Sequence, residues 1–174
     1  VNILGLPVIV IYPDLKTNLL AGYDAFYNTN SVPRDSASHG TCTAGIIGAI
    51  GNNSLGIAGV AYNCKIRSYR IFNSAGSTNT AAITRAFQRG RTNGAAILSN
   101  SWGGGTPAAA STQAIDSCAI YGNSGKGCVI LFSSGNDGRN PPSAPSYSNN
   151  VICIGASTAG DQKKAPGTGN QYWW

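Results

Sequence analysis

Ala95-Ala96-Ile97-Leu98-Ser99-Asn100-Ser101-Trp102-Gly103-Gly104-Gly105 is a short apolar run that meets polar residues and then opens into a glycine loop. So short a run, bounded by Asn93-Gly94 and by three glycines, predicts a buried strand over 95–99. The periodicity changes on either side of it. Thr78 or Thr80 can cap a helix running to about Arg91, with Ala82, Ile83, Ala86 and Phe87 on one face and Asn93-Gly94 closing it. Ala109 to Tyr121 predicts the next helix, ended by Gly122. Further out, 65–72, 128–133 and 151–155 predict strands, and Val8 to Ile11 predicts a first strand between Pro7 and Tyr12-Pro13-Asp14. From His39 the apolar positions Cys42, Ile46, Ile47 and Ile50 recur at helical spacing. Ser36 or Ser38 can cap that helix, and Gly51-Asn52-Asn53-Ser54 ends it. Strands alternating with helices predict an α/β fold, its parallel sheet covered on both faces. No repeat or linker interrupts residues 1–174, so one domain is expected.

Sheets of this kind bind ligands beyond the carboxyl ends of their strands. Asn100-Ser101-Trp102-Gly103 and Ser134-Gly135-Asn136 each follow a strand. They are expected on one edge, together with Asp14 or whatever follows the first strand.

Composition narrows the function classes. Hydrophobic residues make up 42% and charged residues 10%, with 23 glycines, which excludes a disordered chain and implies long uncharged loops. A chain of 174 residues can bury a sizeable core. The net charge of +6 comes from twelve Lys and Arg against six acids. Lys65, Arg67, Arg70 and Arg85, Arg89, Arg91 are the densest basic groups. Ordinary solvated faces are expected, with no nucleic-acid partner. No run of apolar residues is long enough to span a membrane. The absence of methionine, with Val1 first, implies a signal or leader segment removed or never included.

Five cysteines show no metal-ligand spacing, and with one histidine they give no zinc site. Cys118 and Cys128 could bridge a helix end to a strand start in an oxidising compartment; the odd count leaves the pairing open. Cys42 and Cys153 sit among apolar residues and are expected to fill the core. Cys42 shares a helix with His39 on its apolar side, which argues against a Cys–His nucleophile pair. Taken alone, His39 is a satisfied histidine at a helix start and Asn136 a turn residue.

Together the segments say more. His39-Gly40-Thr41-Cys42-Thr43-Ala44-Gly45 resembles the histidine motif HGTxxAG of the subtilisin-like serine proteases. Gly56-Ile57-Ala58-Gly59-Val60-Ala61, Ser101-Trp102-Gly103-Gly104, Ser134-Gly135-Asn136 and Val151-Ile152-Cys153-Ile154-Gly155-Ala156-Ser157 follow in that family's order, so the resemblance covers essentially the whole chain. It implies a three-layer sandwich around a mostly parallel sheet, its C-terminal part missing, and peptide-bond hydrolysis through an acyl-enzyme. His39 would be the general base and Asn136 the oxyanion donor. Ser101, Trp102 and Gly103 would pair with a polypeptide substrate as an added strand. Ser133, Ser134 and Gly135 would line the specificity pocket, facing Gly76 and Ser77 across the cleft. No cofactor is required. The loop 52–57 would be a candidate for structural calcium, with Asn53 and the carbonyls of Leu55 and Ile57 as ligands, although the loop itself holds no acid.

Two departures stand out. Counting back from Pro13-Asp14-Leu15, Gly5 occupies the place of the family's catalytic aspartate. No GTSMA-like serine segment occurs in residues 1–174, and a strand expected between Asp161-Gln162-Lys163-Lys164 and Ala165-Pro166-Gly167-Thr168 is absent. This chain alone is therefore expected to be inactive. A second fragment, or an identical chain, would complete the fold against the aromatic end Tyr172-Trp173-Trp174. The alternative is an inactive relative serving as an extracellular binding or self-assembling module.

Overall fold

The apolar run Asn2-Ile3-Leu4-Gly5 forms β1 (Asn2–Gly5), buried along its whole length. Alternation sends its side chains to opposite faces. Leu4 joins the larger core and Ile3 the smaller, so β1 can be buried only at the centre of a sheet. The computed structural model describes residues 1–5, 12–31, 38–137, 142–146, 148–158 and 160–162. The first-strand expectation at Val8 to Ile11 and the aromatic end Tyr172-Trp173-Trp174 lie outside them.

The remaining elements are β2 (Leu19–Asp24), α1 (His39–Gly48), β3 (Ile66–Arg70), α2 (Thr80–Thr92), β4 (Ile97–Asn100), α3 (Ala109–Gly125), β5 (Val129–Ser133) and β6 (Ile152–Ile154). The strands form one six-stranded sheet ordered β2-β3-β1-β4-β5-β6. Every pairing is parallel, with Ile3 opposite Ser68 on one side and Ser99 on the other. The expected α/β fold with a parallel sheet is what the chain forms. Strand β2 was not foreseen: it lies at an edge, is half exposed and carries a bulge between Leu20 and Tyr23, so its alternation is broken.

Helices α2 and α3 pack on one face over Leu4, Tyr69, Ile71, Leu98, Ile130 and Phe132, with Ile115 of α3 in the same core. Phe87 of α2 stacks on Phe132 at 6.3 Å, and Trp102 meets Phe132 edge-on at 4.9 Å. The cap of α2 is Asn79, not Thr78 or Thr80: its side chain accepts from the Ala82 N–H at 2.8 Å. Helical φ/ψ in α3 lapse at Gly122, as expected.

Helix α1 lies over Ile3, Leu15 and Ile66 on the opposite face; of the residues its periodicity suggested, Ile47 packs against that core, partly buried, while others do not. Gly40, Thr41, Ala44 and Gly48 are buried, while Cys42 and Ile46 are exposed. Close approach is the reason. A β-carbon on Gly48 would stand 2.9 Å from both Cys64 Sγ and Ile66 Cδ1, so only the small face of α1 fits. Coverage on this side is also incomplete among the described residues. Val129, Ile152 and Ile154 are about half exposed, and the register of β5 with β6 puts them on the α1 side.

The cysteine expectations need correction. Cys42 and Cys153 are exposed, not core residues. Cys118 and Cys128 are buried but not bridged: their thiols donate separately to the carbonyls of Phe87 (3.2 Å) and Ala95 (2.9 Å). Several basic residues serve the fold as well as facing solvent. Arg70 pairs with Asp24 at 3.2 Å, Arg85 donates to the Ala25 carbonyl, and Arg89 lies over the Tyr23 ring. No helix among the described residues is long and apolar enough to cross a membrane.

Candidate active site

Parallel strands β1 and β4 are neighbours, so the chain leaves both at the same edge of the sheet. Gly5 ends β1, Ser101-Trp102 follow β4, and α1 opens with His39. These ends border a cleft of about 250 Å3 that also takes in Gly40, Thr43, Phe72 and Gly76, with Ile3 and Leu4 beneath. Of the residues expected to act, the structure brings His39, Gly76, Ser101 and Trp102 around this cleft. Gly103, Ser77, Ser133, Ser134, Gly135 and Asn136 are not among its lining residues. Asn136 lies just beyond β5 and is exposed.

His39 Nε2 is buried and has no hydrogen-bond partner among the described residues. A buried polar group left unmatched costs roughly 1–3 kcal/mol. The backbone of His39 is held from behind, its carbonyl accepting from Thr43 Oγ1 at 3.0 Å. Ser38 caps α1 in the left-handed region (φ 59°) with no side-chain bond to the helix.

Gly5 has φ +146°, a conformation that disfavours any side chain. A β-carbon there would have ordinary contact with Trp102 Cδ1 at 3.5 Å, so the backbone angle, rather than space, opposes an aspartate in this conformation.

The β4 exit is fixed by a residue the sequence analysis quoted without assigning it a role. Asn100 is buried, and its amide donates to the carbonyls of Leu98 (3.2 Å) and Leu131 (3.1 Å). Its Oδ1 accepts from Trp102 Nε1 at 3.1 Å. Ser143 and Ala144 were missed altogether. Ser143 N–H donates to the Ser134 carbonyl (3.2 Å) and Gly104 N–H to the Ala144 carbonyl (2.9 Å), joining the loops after β4 and β5. Side chains on Gly103 or Gly135 would collide with this bridge, at 3.0 Å from the Ala144 carbonyl oxygen and 2.6 Å from Ser143 Oγ. The proline-flanked stretch Pro142-Ser143-Ala144-Pro145 is the one sequence signal that marks the bridge.

The acid absent from loop 52–57 arrives from elsewhere. Asp14 is buried, accepting from Asn53 Nδ2 (2.7 Å) and from the Ile57 N–H (3.1 Å). No cation pairs with it among the described residues, where the Arg70–Asp24 pair is the one ion pair. Asn53 Oδ1 in turn accepts from the Leu55 N–H at 3.0 Å, so both Asp14 oxygens and the Asn53 amide are engaged within the loop. Gly56 is obligatory here, since a β-carbon would fall 2.4 Å from Asp14 Oδ2. The described residues contain no cluster of three or more His, Cys, Asp or Glu that could hold a metal.

Comparison with known proteins places the chain in a family. The family model of the subtilase family matches residues 9–174. Thermitase from Thermoactinomyces vulgaris is 32% identical over 154 residues, covering 88% of this chain and 53% of thermitase. The thermophilic serine proteinase of Bacillus sp. (strain AK1) is 33% identical over 83% of the chain and 35% of its own length. Subtilisin Savinase from Lederbergia lenta is 29% identical over 92% of the chain and 55% of its own length. The chain spans about half the length, or less, of the curated relatives it matches. With its segments in the family's order on a parallel α/β sheet, this chain belongs to the subtilase family.

Proposed function

We propose that this chain is the histidine-bearing half of a serine endopeptidase domain that hydrolyses polypeptides outside the cell. The observation that carries the reading is the cleft shared by His39, Gly76 and the Ser101-Trp102 exit of β4. In the reaction, His39 accepts a proton from a serine hydroxyl as that oxygen attacks the peptide carbonyl, then returns it to the departing amine. Asn136 donates its amide to the oxygen that becomes negative. The backbone of 101–103 pairs with the substrate as an extra strand, and Ser133 to Gly135 border the side-chain pocket. Base, nucleophile and oxyanion donor suffice, so no cofactor enters the chemistry. Asp14, Asn53 and the carbonyls of Leu55 and Ile57 would hold a calcium ion whose role is to brace the loop behind α1.

The serine would come from sequence beyond these residues or from a second polypeptide. Half-exposed Val129, Ile152 and Ile154 support an additional covering segment on the α1 side of the sheet. With glycine in place of aspartate the completed site would be slow. Removing that carboxylate from subtilisin costs about 3 × 10⁴ in turnover, against about 2 × 10⁶ for the serine or histidine.

One observation favours the second reading, an inactive binding module: Gly5 leaves the histidine without a carboxylate from β1. Fluorophosphonate labelling of the purified protein, with intact mass and terminal sequencing, separates the two. A labelled serine peptide accompanying residues 1–174 supports the enzyme. A single unlabelled species ending at Trp174 supports the module.

A further inference from the structure

The chain turns back from the end of α3 to the start of β5 and sets two buried thiols against each other. We propose that Cys118 and Cys128 are a reversible redox pair: the fold described holds the dithiol, and a small-molecule disulfide converts it to an intramolecular disulfide between α3 and β5. The Cys128 N–H donates to the Cys118 carbonyl at 3.0 Å. Standard bond lengths then hold the two Cα atoms within about 7 Å, the limit for bridging without backbone movement. Both side chains enter the same core. A β-carbon on Gly122, one turn after Cys118, would stand 2.2 Å from Cys128 Sγ, so this thiol occupies the place of a Gly122 side chain. Helical β-carbons tilt toward the N-terminus, which puts that place on the Cys118 side of Gly122.

In the dithiol each sulfur has its own acceptor, the Phe87 carbonyl for Cys118 and the Ala95 carbonyl for Cys128. Oxidation gives up both bonds, which keeps the disulfide within reach of reduction by excess thiol. Cys128 is 8% exposed against 0% for Cys118, so it meets the reagent first. Its thiolate attacks one sulfur of the reagent, and the other half leaves as a thiol. The Cys118 thiolate then attacks the Cys128 sulfur of the mixed disulfide, the protein S–S bond forms, and the second reagent thiol leaves. Two electrons and two protons pass from the pair to the reagent, which ends as two thiols. Burial holds both thiols protonated at neutral pH, so the exchange is slow there and quickens as pH rises. Neither cysteine lines the cleft, so the inference stands or falls apart from peptide hydrolysis.

Lys126 stands between the two cysteines, so trypsin separates peptides 92–126 and 127–139 unless a disulfide joins them. The test incubates the folded 174-residue chain with oxidised glutathione, alkylates the remaining thiols and digests without reduction. The two peptides should appear joined, two hydrogens lighter than their sum, and should come apart with dithiothreitol. The linked chain should melt roughly 4–8 °C above the reduced one, because the bridge restricts the unfolded chain. Separate peptides, while exposed Cys42 and Cys153 take up glutathione, overturn the proposal. A link that forms only after urea unfolding, or a linked chain that melts below the reduced one, also overturns it, since the fold would then not accommodate the bridge.

Discussion

Gly59→Ala tests how α1, and with it His39, is seated. A β-carbon at Gly59 would lie 2.5 Å from the Ala49 nitrogen and 2.6 Å from both Cα and N of Gly48. All three are backbone atoms, so no side chain can swing aside. The same segment secures the end of the helix through three bonds: Gly59 N–H to Ala49 (3.0 Å), Val60 N–H to Ile46 (3.0 Å) and Ala61 N–H to Ile47 (2.8 Å). Overpacking costs about 1–3 kcal/mol, and each lost backbone bond about 1 kcal/mol. If relief of the clash breaks most of these bonds, the total is roughly 3–5 kcal/mol, a large part of a typical domain's stability. Gly94→Ala is the control: its φ is +68° with nothing within 4 Å of the new methyl, so only backbone strain of about 1–2 kcal/mol applies. Urea unfolding of both variants measures the difference, and hydrogen exchange at Val60 and Ala61 reports whether the seat has opened. Equal losses in the two variants would refute the close-packing account of α1.

Other consequences concern charge and ligand. Burial, with the neighbouring Cys128 thiol adding to it, pushes the Cys118 thiol from 9.0 up to about 12. The unfolded chain then releases that proton first, so the stability contribution is intact below pH 9 and falls as pH rises from 9 to 12. The loss is roughly 1.4 kcal/mol by pH 10, and the alkaline slope of urea stability should be shallower in Cys118→Ala. Burial raises the Tyr69 hydroxyl in the same direction and leaves a residual slope above its ordinary value in that variant. Calcium at a hundredfold excess over its dissociation constant should add about 2.7 kcal/mol, or roughly 5–10 °C in Tm, in the parent and nothing in Asp14→Asn. An unmoved parent Tm would mean that the Asn53 and Ile57 N–H donors satisfy Asp14 by themselves. Asn100→Ala removes both the tie to Leu131 and the acceptor for Trp102, and should cost roughly 2–3 kcal/mol by thermal unfolding.

The order of strands and helices was legible because most segments carry one strong signal: Ile97-Leu98 stands between glycine turns, and Ala82, Ala86 and Phe87 share a helical face. Errors arose where burial is decided by partners distant in sequence. Helix α1 turns its small residues inward because Cys64 and Ile66 approach Gly48, which no periodicity within 39–50 can reveal. Strand β2 hid behind its bulge and its exposed edge. In the site, His39 and Ser101-Trp102 were legible as motifs beside turn chemistry. Asp14 reaches loop 52–57 across about forty residues of sequence, and Ser143 and Ala144 act through their backbones, which composition does not record.

The most direct measurement is hydrolysis of a chromogenic peptide by this chain joined to the serine-bearing sequence that completes it, with His39→Ala alongside. Slow but saturable cleavage that falls to background in His39→Ala is the predicted result. Cleavage that is indifferent to His39, or a completed protein that never forms an acyl-enzyme, would contradict the assignment of this cleft as the catalytic one.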